Sequence, residues 1–247
     1  MFRHRGKSRT LLHNLQLASL LSFVAGMVNV TGLFALQRLT THVTGHYAFF
    51  AQALASRHFS SALLYVGYLL AFLFGSFCAS LLVEVMVRKN VRYVYTLPVG
   101  METCLLIGIA FLSPSMLLAH QDGIACILLF AMGLQNALVT SLSNAVVRTT
   151  HLTGLFTDLG IELAGLLFYH QEVHRKRLYS SLNLRLTIIG FFFLGGLLGG
   201  LGYLAYGIKI LLLAAFTLIL AVLYDSIKFR MVALKRKYRS QGFPPLL

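Results

Sequence analysis

Six runs of about twenty mostly apolar residues dominate the chain, at 15–36, 61–87, 94–112, 123–147, 186–206 and 208–224. A helix needs about 20 apolar residues to cross the hydrocarbon core of a bilayer, and each run supplies roughly that number. In lipid the backbone must satisfy its own hydrogen bonds, which leaves helices as the natural fold for such runs. Composition agrees. Of 247 residues 57% are hydrophobic and 11% charged, whereas soluble domains carry roughly 25% charged residues. The mean hydropathy is +0.77. So few charges cannot cover a soluble fold of this size. The expectation is an all-α integral membrane protein, a single transmembrane domain over 1–247. The net charge of +14 does not indicate nucleic acid, because the basic residues sit between apolar runs rather than on a soluble face. Cys78, Cys104 and Cys126 lie inside apolar runs without CxxC spacing and read as small buried hydrophobes.

Lys and Arg collect on the cytoplasmic side of membrane proteins. With six spans and the N-terminus inside, all basic residues except Arg38, Arg57 and Lys209 fall on that side. Two shorter apolar pieces, 44–55 and 153–168, are not counted as spans, since counting them would move Arg88, Lys89 and Arg92 outside. Both termini are therefore expected in the cytoplasm, with a basic tail at 226–247 attracted to anionic lipid. The basic cluster at 3–9 ahead of 15–30 has the outline of a signal peptide. The apolar run continues past Ala25 and has a counterpart later in the chain, so it is read as a retained span. Trp is absent, so Tyr93 and Tyr95 at the inner face and Tyr203 and Tyr206 at the outer face are the expected interfacial anchors.

The sequence also repeats. Residues 40–45 read Thr-Thr-His-Val-Thr-Gly and residues 149–154 read Thr-Thr-His-Leu-Thr-Gly. Upstream, Phe23, Gly26 and Asn29 recur at the same mutual spacing as Phe130, Gly133 and Asn136. Each copy has the order span, motif, short apolar helix, span, span, the first over about 15–112 and the second over about 123–225. An odd number of spans inverts the second copy relative to the first, and the charge pattern agrees. The expected architecture is thus six transmembrane helices as two inverted three-helix repeats. Such repeats, with interrupted helices, recur among secondary transporters that bind solute near the midplane between the halves. Gly45 and Gly154 would supply backbone freedom at the break. Thr44 and Thr153 would cap the short helices, whose exposed N–H groups favour an anion.

The candidate binding residues are Asn29, Thr41, His42, Thr44, Gly45 and His46 from the first copy. From the second they are Gln135, Asn136, Thr150, His151, Thr153 and Gly154. Asn29, Gln135 and Asn136 serve equally well as bonds between helices. Asp158 and Glu162, four apart on one helical face, are candidates for proton coupling, because two acids facing lipid would be costly. Their counterparts in the first copy are Phe49 and Ala53, and this asymmetry weighs toward a proton- or cation-coupled solute over an anion. Glu84 and Asp225 read as interfacial, near Arg88 and Lys228, and Glu102 as a partner of the polar centre or of an inner-face Arg. Residues 170–174, His-Gln-Glu-Val-His, lack the Glu that follows the first His in zinc proteases. No nucleophile elbow, P-loop or dinucleotide fingerprint occurs, so no catalytic residue, metal or cofactor is assigned. Gly195, Gly196, Gly199 and Gly200 form small-xxx-small pairs for packing within the chain, with a homo-oligomer contact as the other use.

The segments Phe23-Val-Ala-Gly26, His42-Val-Thr-Gly45, Gly133-Leu-Gln-Asn136 and the motif at 149–154 resemble the YoaK family of bacterial multi-pass membrane proteins, over about 15–225. The resemblance implies an inner-membrane location and leaves the biochemical role open. The family commonly has Asp in place of Asn29 and Asn in place of His46. A proton carried by that Asp has no seat at Asn29, and His46 becomes the candidate to carry it. Three functions remain in view. The first is a transporter or channel for a small polar solute, the second a non-transporting membrane scaffold, and the third an intramembrane enzyme using His and carboxylates.

Overall fold

A computed structural model describes residues 10–89, 94–169 and 171–240, with side chains described as far as Ile227. Among them every regular element is helical: α1 (Leu11–Leu36), α2 (Val43–Ala55), α3 (Phe59–Arg88), α4 (Thr96–Ala110), α5 (Pro114–Ala119), α6 (Gln121–Ser143), α7 (Leu152–Phe168), α8 (Glu172–Tyr206) and α9 (Leu211–Ser240). Four stretches are long and apolar enough to cross a membrane: Leu11–Leu36, Phe59–Arg88, Gln121–Ser143 and Glu172–Ile227. Thr96–Ala110 is a shorter apolar helix. The last long stretch is divided by a 3-10 turn at Gly207–Ile210, where Gly207 takes φ +62, a conformation suited to glycine. The basic residues Arg3, Arg5, Lys7, Arg9 and Arg92, together with Tyr93 and His170, lie outside the described residues, as do the side chains of the basic tail.

Two of the differences from the expected boundaries bear on the site. Helix α8 begins at Glu172 rather than near 186, because no Gly or Pro interrupts 172–189 and polar residues extend a helix readily outside lipid. Helix α6 stops at Ser143 rather than 147, since Asn144 and Ala145 turn the chain with φ values of 55 and 63.

The packing is reciprocal. Helix α1 lies along α8 and α3 along α6, while α2 packs on α3, α7 on α8 and α4 on α9. Exchanging α1–α4 with α6–α9 converts each of these pairs into another or into itself. The centre belongs to α1 and α6, whose apolar windows are each 61% buried, against 17% for α3. The outward face of α3 presents Leu70, Leu73, Phe74 and Phe77, as a lipid-facing surface would.

Glycine sets the closest approaches. A Cβ on Gly26 would collide with the Phe192 carbonyl of α8, and one on Gly133 with the Phe72 carbonyl of α3. In the opposite direction Gly195 abuts the Phe23 carbonyl and Gly75 that of Phe130. Gly196, Gly199 and Gly200 also face α1, against Val30, Met27 and Phe34. The four glycines considered for a homo-oligomer contact are therefore occupied inside the chain, and a second copy would need another surface.

Both central helices end in a left-handed residue, Gln37 or Asn144, and the chain then doubles back along the helix it has left. Thr40 Oγ1 donates to the Val28 carbonyl at 3.2 Å, and Thr41 Oγ1 to Asn29 Oδ1 at 2.9 Å. In the second half Asn136 Nδ2 donates to Thr150 Oγ1 at 2.6 Å and accepts from Thr149 Oγ1 at 3.3 Å. Asn29 and Asn136 each stand seven residues before their helix ends, about 10 Å back at the helical rise. The short helices α2 and α7 consequently start part-way along α1 and α6.

Overpacking at these crossings costs about 1–3 kcal/mol, so Gly26→Ala and Gly133→Ala should each lower the thermal unfolding temperature in nanodiscs. Gly190→Ala, whose added Cβ meets nothing within 4 Å, should be neutral or stabilise by up to about 1 kcal/mol. Equal behaviour of all three variants would contradict the packing.

Candidate functional site

The short helices both open at a histidine. His42 is the N-cap of α2, and its Nδ1 accepts the Gly45 N–H at 3.1 Å. His151 occupies the same place in α7, and its ring lies over Gly154. The expected caps, Thr44 and Thr153, are instead inside the first turn, because the helices begin at Val43 and Leu152. The motif glycines have a simpler cause than backbone freedom: a Cβ on Gly45 or Gly154 would occupy the space of the His42 or His151 ring.

Asn29, Thr41, His42 and Thr44 line one cavity of about 560 Å³ together with Asn136, Thr150, His151 and Thr153. Phe72, Thr140, Arg148 and Phe192 complete much of its wall. Each of the first four residues has its repeat counterpart among the second four. Asn29 and Asn136 face the cavity while bonding the motif threonines, so their structural and binding uses coincide.

The other candidates lie elsewhere. Gly45 sits beneath its histidine. Gln135 is buried and donates through Nε2 to the Leu21 carbonyl at 2.7 Å, a bond between α6 and α1. His46 is buried with Nε2 at 2.6 Å from the Leu39 carbonyl oxygen, its ring against Tyr65 and Tyr68. It is enclosed by α2 and α3, away from the cavity. Glu102 is fully buried and neither of its carboxyl oxygens has a hydrogen-bond partner, so the expected pairing with the polar centre or an arginine does not form. Glu84 does pair with Arg88, at 3.0 Å.

A second cavity of about 470 Å³ is lined by Gly154, Asp158, Ser181 and Arg185, and shares Arg148 and His151 with the first. Arg185 holds both acids of α7. It donates to Asp158 at 2.8 Å, and to the two oxygens of Glu162 at 2.8 and 2.9 Å, a two-point geometry that strengthens an ion pair. Sequence reasoning placed Arg185 only at the cytoplasmic boundary. The usable signal was register: Arg185 stands ten residues before Gly195, as Tyr65 does before Gly75. In the first half, Tyr65 stacks on Phe49 with centroids 5.5 Å apart, so an aromatic pair stands where the second half has Arg185 and Asp158.

A second ionic cluster ties the α1–α2 loop to α3 and α6. Arg38 Nε donates to the Tyr68 hydroxyl at 3.1 Å and to Asp122 at 3.3 Å, and Tyr68 donates to Asp122. Burial works against the Arg38 charge, but the Tyr68 bond and the Asp122 carboxylate raise its pKa above the ordinary value. No group of three or more His, Cys, Asp or Glu side chains suited to a metal occurs among the described residues.

Arg185→Gln leaves two carboxylates without their cation in a partly buried setting, with Glu162 only 12% exposed. The cost should be about 2–3 kcal/mol, between the values for exposed and buried pairs. Adding Glu162→Gln should restore part of that loss, which thermal unfolding of the single and double variants would measure.

The fold and cavities stand without a solved or curated relative, since neither a curated protein nor a solved structure matches the chain. A family does. The model for "Protein of unknown function (DUF1275)" matches residues 17–224, from α1 into α9 and across both motifs. The chain therefore belongs to this family of unknown function, which includes YoaK.

Proposed function

We propose that the chain is a small secondary transporter or channel that binds a polar solute between the two Thr-Thr-His-x-Thr-Gly segments. One observation carries the reading: the larger cavity takes the same four residue types, Asn, Thr, His and Thr, from each copy of the repeat. The reciprocal packing supports two inverted repeats, with α1, α3, α4, α6, α8 and α9 as six spans and α2 and α7 as half-helices ending at the site. Phe72 of α3 and Phe192 of α8 both line the cavity, so the site lies between the α3–α6 pair and the α1–α8 pair. Glycine contacts hold each pair together as a unit. Rocking one pair against the other opens the site alternately to either side, the movement such repeats commonly use.

Transport is favoured over chemistry because no carboxylate belongs to the lining of the larger cavity. Asp158, the nearest candidate acid, is held by Arg185. A His–carboxylate relay would need hydrogen-bond reach, and the site offers histidines alone. The same ion pairs make Asp158 and Glu162 a brace between α7 and α8, which is our reading of them in place of proton coupling. A scaffold acting through the glycine-rich face of α8 is disfavoured because that face is spent on α1. The distribution of Lys and Arg supports both termini in the cytoplasm, and the family resemblance supports an inner-membrane location.

Purified protein in liposomes should move a small polar solute, and His42→Ala or His151→Ala should cut that flux at least tenfold without loss of folded protein. Unchanged flux in both variants would remove the site from the pathway. Orientation has its own test: alkaline phosphatase fused after Leu112 should be active and fused at the C-terminus inactive. Activity at the C-terminus contradicts the six-span arrangement.

A further inference from the structure

The charge lining the larger cavity is one-sided. Arg148 contributes a guanidinium to its wall, and no Asp or Glu does. Arg148 makes no ion pair or hydrogen bond among the described residues. At the neighbouring cavity Asp158 and Glu162 are paired with Arg185, and neither bonds Arg148. Arg148 immediately precedes Thr149, which is fully buried and bonded to Asn136 well inside α6. The returning loop thus sets an exposed guanidinium, unpaired among the described residues, at the wall of the cavity.

The remaining polar groups include donors. Because His42 Nδ1 accepts the Gly45 N–H, the neutral ring carries its hydrogen on Nε2 and can donate. The hydroxyls of Thr44 and Thr153 line the cavity with no bond to other described residues. A guanidinium with hydroxyl and imidazole donors matches the planar oxygens of a carboxylate or oxyanion. The starts of α2 and α7, on the same cavity, add partial charge of the same sign.

We propose that the solute is a small anion bearing a carboxylate or oxyanion group, with Arg148 as the residue that selects its charge. This rests on the transport reading and specifies its substrate class. It also departs from the sequence-based leaning toward a proton- or cation-coupled scheme, since the acids behind that leaning are ion-paired with Arg185 and lie outside the lining of the larger cavity.

The test uses the full chain in nanodiscs and liposomes at constant ionic strength, with isethionate replaced by nitrate, sulfate, phosphate, acetate or succinate. Ethylammonium and erythritol serve as cationic and uncharged probes. At least one of the five anions should raise the unfolding temperature saturably and cross the liposome membrane. Arg148→Gln should weaken its binding at least tenfold, and Arg148→Lys should recover part of the loss. Because Arg148 is exposed and bonds no other described residue, neither variant should disturb folding. Anion binding indifferent to Arg148→Gln overturns the assignment. Flux of ethylammonium or erythritol that His42→Ala abolishes and Arg148→Gln leaves intact overturns the anion class while the transport reading stands. No binding and no flux for any probe overturns both.

Discussion

At two crossings in this bundle, backbone rests on backbone. Gly26 and Gly195 bring α1 against α8, and Gly133 and Gly75 do the same for α6 and α3. In lipid no hydrophobic force drives helices together, so contact surface and van der Waals packing must. A larger residue at any of the four would separate two helices that together line the cavity. Phe72 and Phe192, whose carbonyls meet the glycines, are the residues that line the cavity. The glycine contacts therefore shape the lining of the site as well as the packing of each pair.

A second constraint follows from the loops. A chain leaving a long helix would ordinarily run away from it, but here two threonines after each of α1 and α6 bind back onto the helix, at Val28 and Asn29 in the first half and at Asn136 in the second. Those bonds let irregular backbone return into the apolar zone with its polar groups met, as such backbone must be. They also deliver His42 and His151 to a common space. The asparagines are thus placed by need before any solute arrives.

Much of this was legible in the sequence, and what was missed has a physical pattern. Long apolar runs identify helices reliably, and the repeated Thr-Thr-His-x-Thr-Gly pointed to eight residues that do share a cavity. Its capping was misread because Thr is the commoner N-cap, while here a histidine holds the N-cap position of both helices and His42 accepts the Gly45 N–H. His46 and Gln135 resemble site residues in type, and only tertiary packing shows their side chains turned to Leu39 and Leu21. Arg148 and Arg185 were counted as topological markers. Charge counting locates a loop but cannot say which arginine finds a carboxylate, since that depends on α8 beginning fourteen residues before the apolar run.

The two halves share a backbone plan but not a solvent response. In the first, α2 meets α3 through stacked Phe49 and Tyr65; in the second, α7 meets α8 through Arg185 and two acids. Dispersion between rings is indifferent to dissolved ions, whereas ion pairs that are partly exposed, as Asp158 is, are screened by them. Added salt should loosen the second half-helix and leave the first in place. A protein with near-twofold architecture would then carry one ion-sensitive joint and one insensitive joint, giving α2 and α7 different mechanical thresholds.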